Sequence, residues 1–261
     1  MSILHKYPRT LHLQGSGLQT GDHDLPMISF DALRGRHVVV EEKMDGANCA
    51  ISFTGEGQLL LQSRGHYLQG GPRERQFDLL KVWANRFTRE LWELLTARYV
   101  MYGEWLYAKH TVFYTELPHY LMEFDILDTA THTFLDTPRR QLLLEQAPFI
   151  VSVAVLQTGI LTSDAQLRSL LGPSLFIGVD QIQQLQAACE SQQIDPATAT
   201  HETDLSGLME GLYVKVEEDG IVRERYKFVR PGFLQRVFDS GSHWQDRPML
   251  PNRLRPGAEL F

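Results

Sequence analysis

The sequence predicts an α+β domain of largely antiparallel sheets flanked by helices. Three observations carry this. Apolar, β-branched runs such as Val38-Val39-Val40 recur between turn signals and read as strands. Gly55-Glu56-Gly57 and Glu218-Asp219-Gly220 read as hairpin turns between such runs. Helices are interspersed among the strands, which favours this class over a doubly wound sheet.

Residues 1–36 read as an extended arm with a short helix near Ser29–Leu33, broken by Pro8, Gly15, Gly17, Gly21 and Pro26. Val38–Glu42, Asn48–Phe53 and Gln58–Gln62 are the first strands, ended by Ser63-Arg64-Gly65 and Gly70-Gly71-Pro72. From Phe77 to Arg98, Phe77, Leu80, Val82, Trp83, Phe87, Leu91, Leu94 and Leu95 form a broad apolar stripe at helical spacing, so one long helix is expected. Tyr99–Leu106 and Tyr120–Leu127 are strands. Pro138–Gln146 is a helix with Thr137 as N-cap and Pro138 in its first turn. Ile150–Leu156 reads as a buried strand, and Ser163–Leu171 and Gln181–Gln192 as helices. Leu212–Val216 and Ile221–Val229 form a hairpin. The tail from Pro231 holds a short helix near Phe233–Phe238 and then Pro248, Pro251 and Pro256. The expected organisation is an arm (1–36) packed on a central domain (37–230), followed by a short tail (231–261).

The 261 residues are 43% hydrophobic, enough for one large core. A net charge of −7 argues against a broad nonspecific nucleic-acid binder, so any such groove must be local. Two distant cysteines, Cys49 and Cys189, suggest neither a disulfide framework nor a zinc site, and a reducing cytoplasm is the expected compartment. No run approaches the ~18 apolar residues of a membrane span, and Met1–Leu13 lacks a signal-peptide core.

Chemistry-bearing residues cluster at strand ends. Lys43-Met44-Asp45-Gly46 follows the first strand. Alone it reads equally well as a strand running into an Asp-Gly turn or as an activated lysine. Downstream lie Ser63-Arg64-Gly65, Tyr102-Gly103-Glu104, Glu123-Phe124-Asp125-Ile126, Glu210-Gly211-Leu212-Tyr213-Val214-Lys215 and Arg225-Tyr226-Lys227-Phe228. Charged residues beside apolar strands, repeated along one chain, indicate a polar pocket built on a sheet.

In this order the set resembles the covalent nucleotidyltransferase superfamily of polynucleotide ligases and capping enzymes. It is most similar to the RNA ligase branch, in particular small enzymes like RNA ligase 2; Asn48 and Phe124-Asp125-Ile126 point that way. One departure is Arg225, where the family usually has lysine; the two cations are not equivalent toward phosphate. The resemblance implies an ATP-grasp-like adenylation domain and ATP-dependent joining of RNA 5′-phosphate and 3′-hydroxyl ends through a lysine–AMP adduct on Lys43, in RNA repair.

It further implies Lys43, Lys227, Arg225 and Glu210 as catalytic. Glu41, Glu42, Asp45, Asn48, Arg64, Glu104 and Phe124 would join Lys43, Glu210 and Lys227 around the nucleotide. Glu210 and Glu104 would hold Mg2+ or Mn2+, hard cations that prefer oxygen. Arg9, Arg73, Arg75, Lys109 and His110 are candidates for RNA contacts. A nucleophilic lysine must shed its proton, so Lys227, Arg225, Arg64 and a metal are expected to lower the Lys43 pKa.

The proline-broken tail is too short for an oligonucleotide-binding barrel, which favours RNA over DNA. A minimal DNA ligase, a ligase of mixed RNA–DNA nicks, or a noncatalytic nucleotide- or RNA-binding protein are the alternatives. No kinase or phosphatase motif is visible, so an end-healing partner protein is a further expectation.

Overall fold

The computed structural model describes residues 3–18, 24–241 and 247–261. Twelve strands are found among them: β1 (Leu11–Leu13), β2 (Met27–Ile28), β3 (His37–Lys43), β4 (Ala47–Phe53), β5 (Leu59–Ser63), β6 (Tyr99–Trp105), β7 (Leu121–Asp128), β8 (Thr133–Leu135), β9 (Val151–Ser152), β10 (Val155–Ile160), β11 (Gly211–Glu218) and β12 (Ile221–Val229). The helices are α1 (Asp78–Arg86), α2 (Thr88–Leu95), α3 (Thr137–Leu144), α4 (Asp164–Arg168), α5 (Gln181–Gln192), α6 (Pro196–His201) and α7 (Pro231–Asp239), with single 3-10 turns at Phe30–Leu33 and Pro72–Phe77.

The strands form one hydrogen-bonded path, β10-β3-β11-β12-β8-β7-β6-β4-β5, antiparallel throughout. The short strands β1, β2 and β9 add parallel pairs at its margins. The α+β, largely antiparallel expectation therefore holds.

Register decides which side chains meet. Gly211 lies opposite Lys43 and Tyr213 opposite Glu41, while β12 sets Lys227 beside Tyr213 and Arg225 beside Lys215. Side chains alternate along a strand, so Lys43, Glu41, Tyr213, Lys215, Arg225 and Lys227 share one face. The other face is apolar: Val38, Val40, Leu212, Val214, Val216 and Phe228 pack with Leu33, Leu161 and Leu167. In the second half of the sheet, Cys49, Ile51, Met101 and Trp105 pack on Leu80 and Trp83 of α1 and Leu91 and Leu95 of α2. Their neighbours Asn48, Ala50, Tyr102 and Glu104 fall on the opposite face by register. Ala50 and Tyr102 meet Tyr213 and the arm residue Tyr7 in one buried cluster, which joins the two halves.

Several elements differ from expectation. The long helix is two helices meeting at Phe87, whose φ of −100° and ψ of 19° leave the helical range. Thr88 Oγ1 donates to the Ala84 and Asn85 carbonyls there, at 3.0 and 2.9 Å, and competes with the helical ladder. The apolar stripe continues across the break because Phe87 stacks on Phe149. The strand expected at Ile150–Leu156 splits into β9, parallel to β7, and β10, antiparallel to β3. The arm is not wholly irregular, since β1 pairs with β12. Asp136 caps α3 by accepting from Arg139 N, whereas the Thr137 hydroxyl donates to Glu217.

Candidate active site

A cleft of about 2050 Å3 opens over the polar face of β3, β11 and β12 and the facing parts of β4 and β6. Lys43, Asn48, Glu104, Glu210 and Lys227 line it, with Phe124 and Tyr213 as apolar wall. Lys43 is the last residue of β3, its side chain 23% exposed, and its Nζ donates to Glu210 Oε1 at 2.6 Å. Glu210 immediately precedes β11 and is buried. Next to it, Gly211 has no room for a side chain: a Cβ would lie 2.0 Å from the Phe228 carbonyl oxygen. Gly46 is likewise required, because a Cβ would meet Leu106, the Trp105 carbonyl and Glu104 at 2.7 to 3.0 Å. Gly46 lets the lysine loop close against β6, and Gly211 lets β11 lie close to β12.

The electrostatics differ from expectation. Burial pushes the Glu104 carboxyl up to about 8, with Lys43 opposing and Glu210 and Asp45 reinforcing the rise. Burial likewise pushes Glu210 up to about 7 against the pull of Lys43. Burial disfavours the Lys43 ammonium, yet Glu210, Glu104 and Asp45 together outweigh it and hold its pKa above that of an ordinary lysine. Lowering by flanking cations was expected. Instead the immediate neighbours are carboxylates.

Asp45 braces the loop. Its Oδ2 accepts from Thr111 N and Val112 N, both at 2.7 Å, and its own N–H donates to Tyr114 Oη at 2.8 Å. Asn48 sits opposite Glu104 in the β4–β6 register and lines the cleft. Lys227, half-buried on β12, lies close enough to Glu210 to lower its pKa. Arg64, Arg73 and Arg75 are exposed at the cleft margin.

Other candidates are placed elsewhere or already engaged. Arg225 does not point at phosphate: it pairs with Asp125 Oδ2 at 2.8 Å and lies 3.8 Å over the Phe134 ring, outside the cleft lining. Glu41 is fully buried on the cleft floor, bound to Arg140 at 2.7 Å and Lys215 at 2.9 Å. Glu42 accepts from Ser174 Oγ at 2.5 Å and Leu175 N at 3.2 Å. Arg9 is exposed, bidentate to Asp24 at 2.7 Å, and does not line the cleft. Lys109 and His110 line the cleft but are buried, not spread on an open basic surface.

The sequence reading missed the network behind the floor. Asp125, held down to about 2 against burial by Arg225, Lys215 and Arg140, also accepts a hydrogen bond from Tyr7. Tyr7 Oη contacts Tyr213 Oη at 2.6 Å, and Thr10 Oγ1 reaches the same phenol. Its readable signal was two-residue alternation: Gly211, Tyr213 and Lys215 share a face with Lys43 once β3 and β11 are paired. Arg140 gave no signal, because its helix face is defined only by the fold.

Glu210 and Glu104 suit a divalent cation. Glu210 Oε2 is buried without a hydrogen-bond partner, and both groups are hard oxygen donors. Among the described residues no group of three or more His, Cys, Asp or Glu side chains is placed to hold a metal ion.

The large, mainly antiparallel sheet flanked by helices is a nucleotidyltransferase-like fold. It superposes on the RNA ligase of Naegleria gruberi. A variant with ATP and manganese matches at TM-score 0.52 and 18% identity, covering 80% of this chain and 54% of that one. An apo variant matches at 0.54 and 18%, and the pyrophosphate complex at 0.53 and 18%, each covering 91% and 61%. The chain thus spans little more than half the length of these structures. Residues 36–229 match the RNA ligase family model, and the chain belongs to that family. No curated protein sequence matched. No helix among the described residues is long and apolar enough to cross a membrane.

Proposed function

We propose that this protein is an ATP-dependent RNA ligase that joins 5′-phosphate and 3′-hydroxyl ends through AMP carried on Lys43. The observation that carries the reading is Lys43 Nζ in the cleft, 2.6 Å from Glu210 Oε1. Family membership and the fold shared with an RNA ligase solved with ATP and manganese support it.

In the resting protein Lys43 is an ammonium tied to Glu210. A divalent cation at Glu210 and Glu104 would supply positive charge beside the amine and neutralise the leaving pyrophosphate. Once Glu210 is released from the ion pair, Lys43 can lose its proton and attack the α-phosphorus of ATP. Lys227, on the same sheet face, would grip the α-phosphate and pyrophosphate. Phe124 supplies an apolar surface for adenine, and Asn48 a polar group for ribose or phosphate. Asp45 positions the loop. AMP then passes to the RNA 5′-phosphate, and the 3′-hydroxyl attacks that activated end and releases AMP. Arg64, Arg73 and Arg75 at the margin suit the RNA backbone.

Residues 37–230 would form the adenylation unit, completed by the arm and tail. Such an enzyme acts after a partner that leaves 5′-phosphate and 3′-hydroxyl ends, and its buried free cysteines suit a reducing cytoplasm. The test is a matched panel of nicked and single-stranded RNA and DNA with ATP and Mg2+. Sealing of RNA ends supports the reading; sealing of DNA alone would replace it with a minimal DNA ligase.

A further inference from the structure

The helix α7 presents one apolar face to the cleft. Phe233, Leu234, Val237 and Phe238 recur at helical spacing, and all four line the cleft. Gln235, Arg236 and Asp239 of the same helix do not. The inner turn of this face is covered. Phe233 and Leu234 are buried in the apolar cluster that holds Met44, the residue after Lys43, and Val237 packs against the same cluster. The outer turn is open: Phe238 is 53% exposed. Met249, 38% exposed, lines the cleft as well. Among the described residues, these two are the exposed large apolar side chains that line it.

Both ends of α7 are tied down. Arg230 N, one residue before the helix, donates to the Glu210 carbonyl at 2.9 Å, which places α7 beside the carboxylate that binds Lys43. Leu234 fills the space at Gly17, where a Cβ would lie 2.3 Å from Leu234 Cδ1. Just past the other end, Ser240 Oγ accepts from Arg247 Nη2 at 2.7 Å. Phe238 lies two residues before that bond and Met249 two residues after it, so it sets them on adjoining stretches of the wall. Arg247 is paired with Glu202 at 3.5 Å and holds this junction. What α7 and Met249 offer a ligand is apolar surface.

A scattered exposed apolar side chain needs no explanation, but one that carries a buried stripe on into a cleft does. The same cleft holds the exposed Arg64, Arg73 and Arg75. A ligand that suits both features has an anionic backbone and flat apolar rings, which describes a nucleic-acid strand. Bases inside a duplex have both faces covered, whereas a base at a strand end or outside a helix keeps one free. At about 2050 Å3 the cleft exceeds the several hundred Å3 that one small ligand fills, and Phe124 already offers adenine a surface.

We propose that Phe238, together with Met249, is a stacking shelf for a base at the RNA end being joined. This rests on the ligase reading above.

The test is a cycle between protein and RNA. Affinities of wild type and Phe238→Ala are measured for a 5′-phosphate oligoribonucleotide, and for the same oligomer made abasic at its 5′-terminal or its 3′-terminal nucleotide. Label transfer from ATP, sedimentation and thermal melting are followed in parallel. Phe238→Ala should weaken the intact RNA about tenfold. The log–log salt slope should stay unchanged, because no charge is lost. Phe238→Trp should keep the affinity. In the wild type, removing the stacked base should cost about as much, and in Phe238→Ala it should cost little more. The end that shows this non-additivity is the end on the shelf. Unchanged affinity in Phe238→Ala would overturn the proposal, as would losses that simply add at both ends. So would an altered oligomeric state, which gives the face to a second copy. Loss of label as steep as the loss of RNA affinity would give it to the adenine of ATP and overturn the proposal too. If Phe238→Ala does not fold, Met249→Ala in the same cycle decides. Failure of the wild type to take label would remove the ligase reading and leave the stacking result standing.

Discussion

Lys43 and Glu210 meet at 2.6 Å because β3 ends opposite the start of β11, with Gly211 as the register partner of Lys43. On the proposed reading, Lys43 is thereby stored as an ion pair with the carboxylate that would hold the metal. Glu210→Ala is expected to slow label transfer from ATP by at least about 100-fold, the size of effect seen when one charge-stabilising group is removed, while raising the Mg2+ needed for half-maximal rate. Glu210→Gln should share both effects. A normal Mg2+ requirement in either variant would contradict the assignment.

The carboxyl pair also predicts a pH signature. Glu104, pushed up to about 8, and Glu210, pushed up to about 7, hold protons at pH values where an unfolded chain has released them. Folding therefore takes up protons between about pH 4.5 and 8, so these groups stabilise the metal-free protein less as pH rises through that window. Mg2+ needs the ionised forms, so its stabilising shift in melting temperature should be larger at pH 8.5 than at pH 6. Glu104→Gln should flatten both trends in differential scanning fluorimetry.

Arg225 is expected to act through folding. Removing it leaves buried Asp125 with the Lys215 ion pair at 3.3 Å and the more distant charge of Arg140. Arg225→Ala should cost roughly 3 to 5 kcal/mol, as for other broken buried pairs, read by urea unfolding. Label formation per folded molecule should fall far less than in Lys227→Ala.

Arg73→Ala should weaken RNA end joining by about tenfold while label transfer falls much less, since Arg73 is exposed at the cleft margin. Equal loss of both activities with an intact fold would place Arg73 at the nucleotide.

The sequence made β3, the β11–β12 hairpin and α5 legible, because their periodicity and turn residues are local. Asp219 and Gly220 have the positive φ values, 55° and 81°, that the hairpin signal implies. The break at Phe87 was not legible, since it depends on Thr88 bonding back into α1 and on Phe149 arriving from another segment. At the site, Lys43, Glu104, Glu210 and Lys227 converge as their order suggested. Arg225 diverges because two-residue spacing from Lys227 fixes only the face, not the depth. Further along the strand, Asp125 and Phe134 claim its guanidinium. Phe238 falls in the tail helix that the sequence suggested, but the wall it shares with Met249 depends on Arg247 bonding back to Ser240, and no local pattern encodes that.

The central claim is that Lys43 carries AMP. Incubation with α-labelled ATP and Mg2+, followed by denaturing electrophoresis, should leave label on the wild-type chain and none on Lys43→Ala. Label that persists on folded Lys43→Ala would contradict the account.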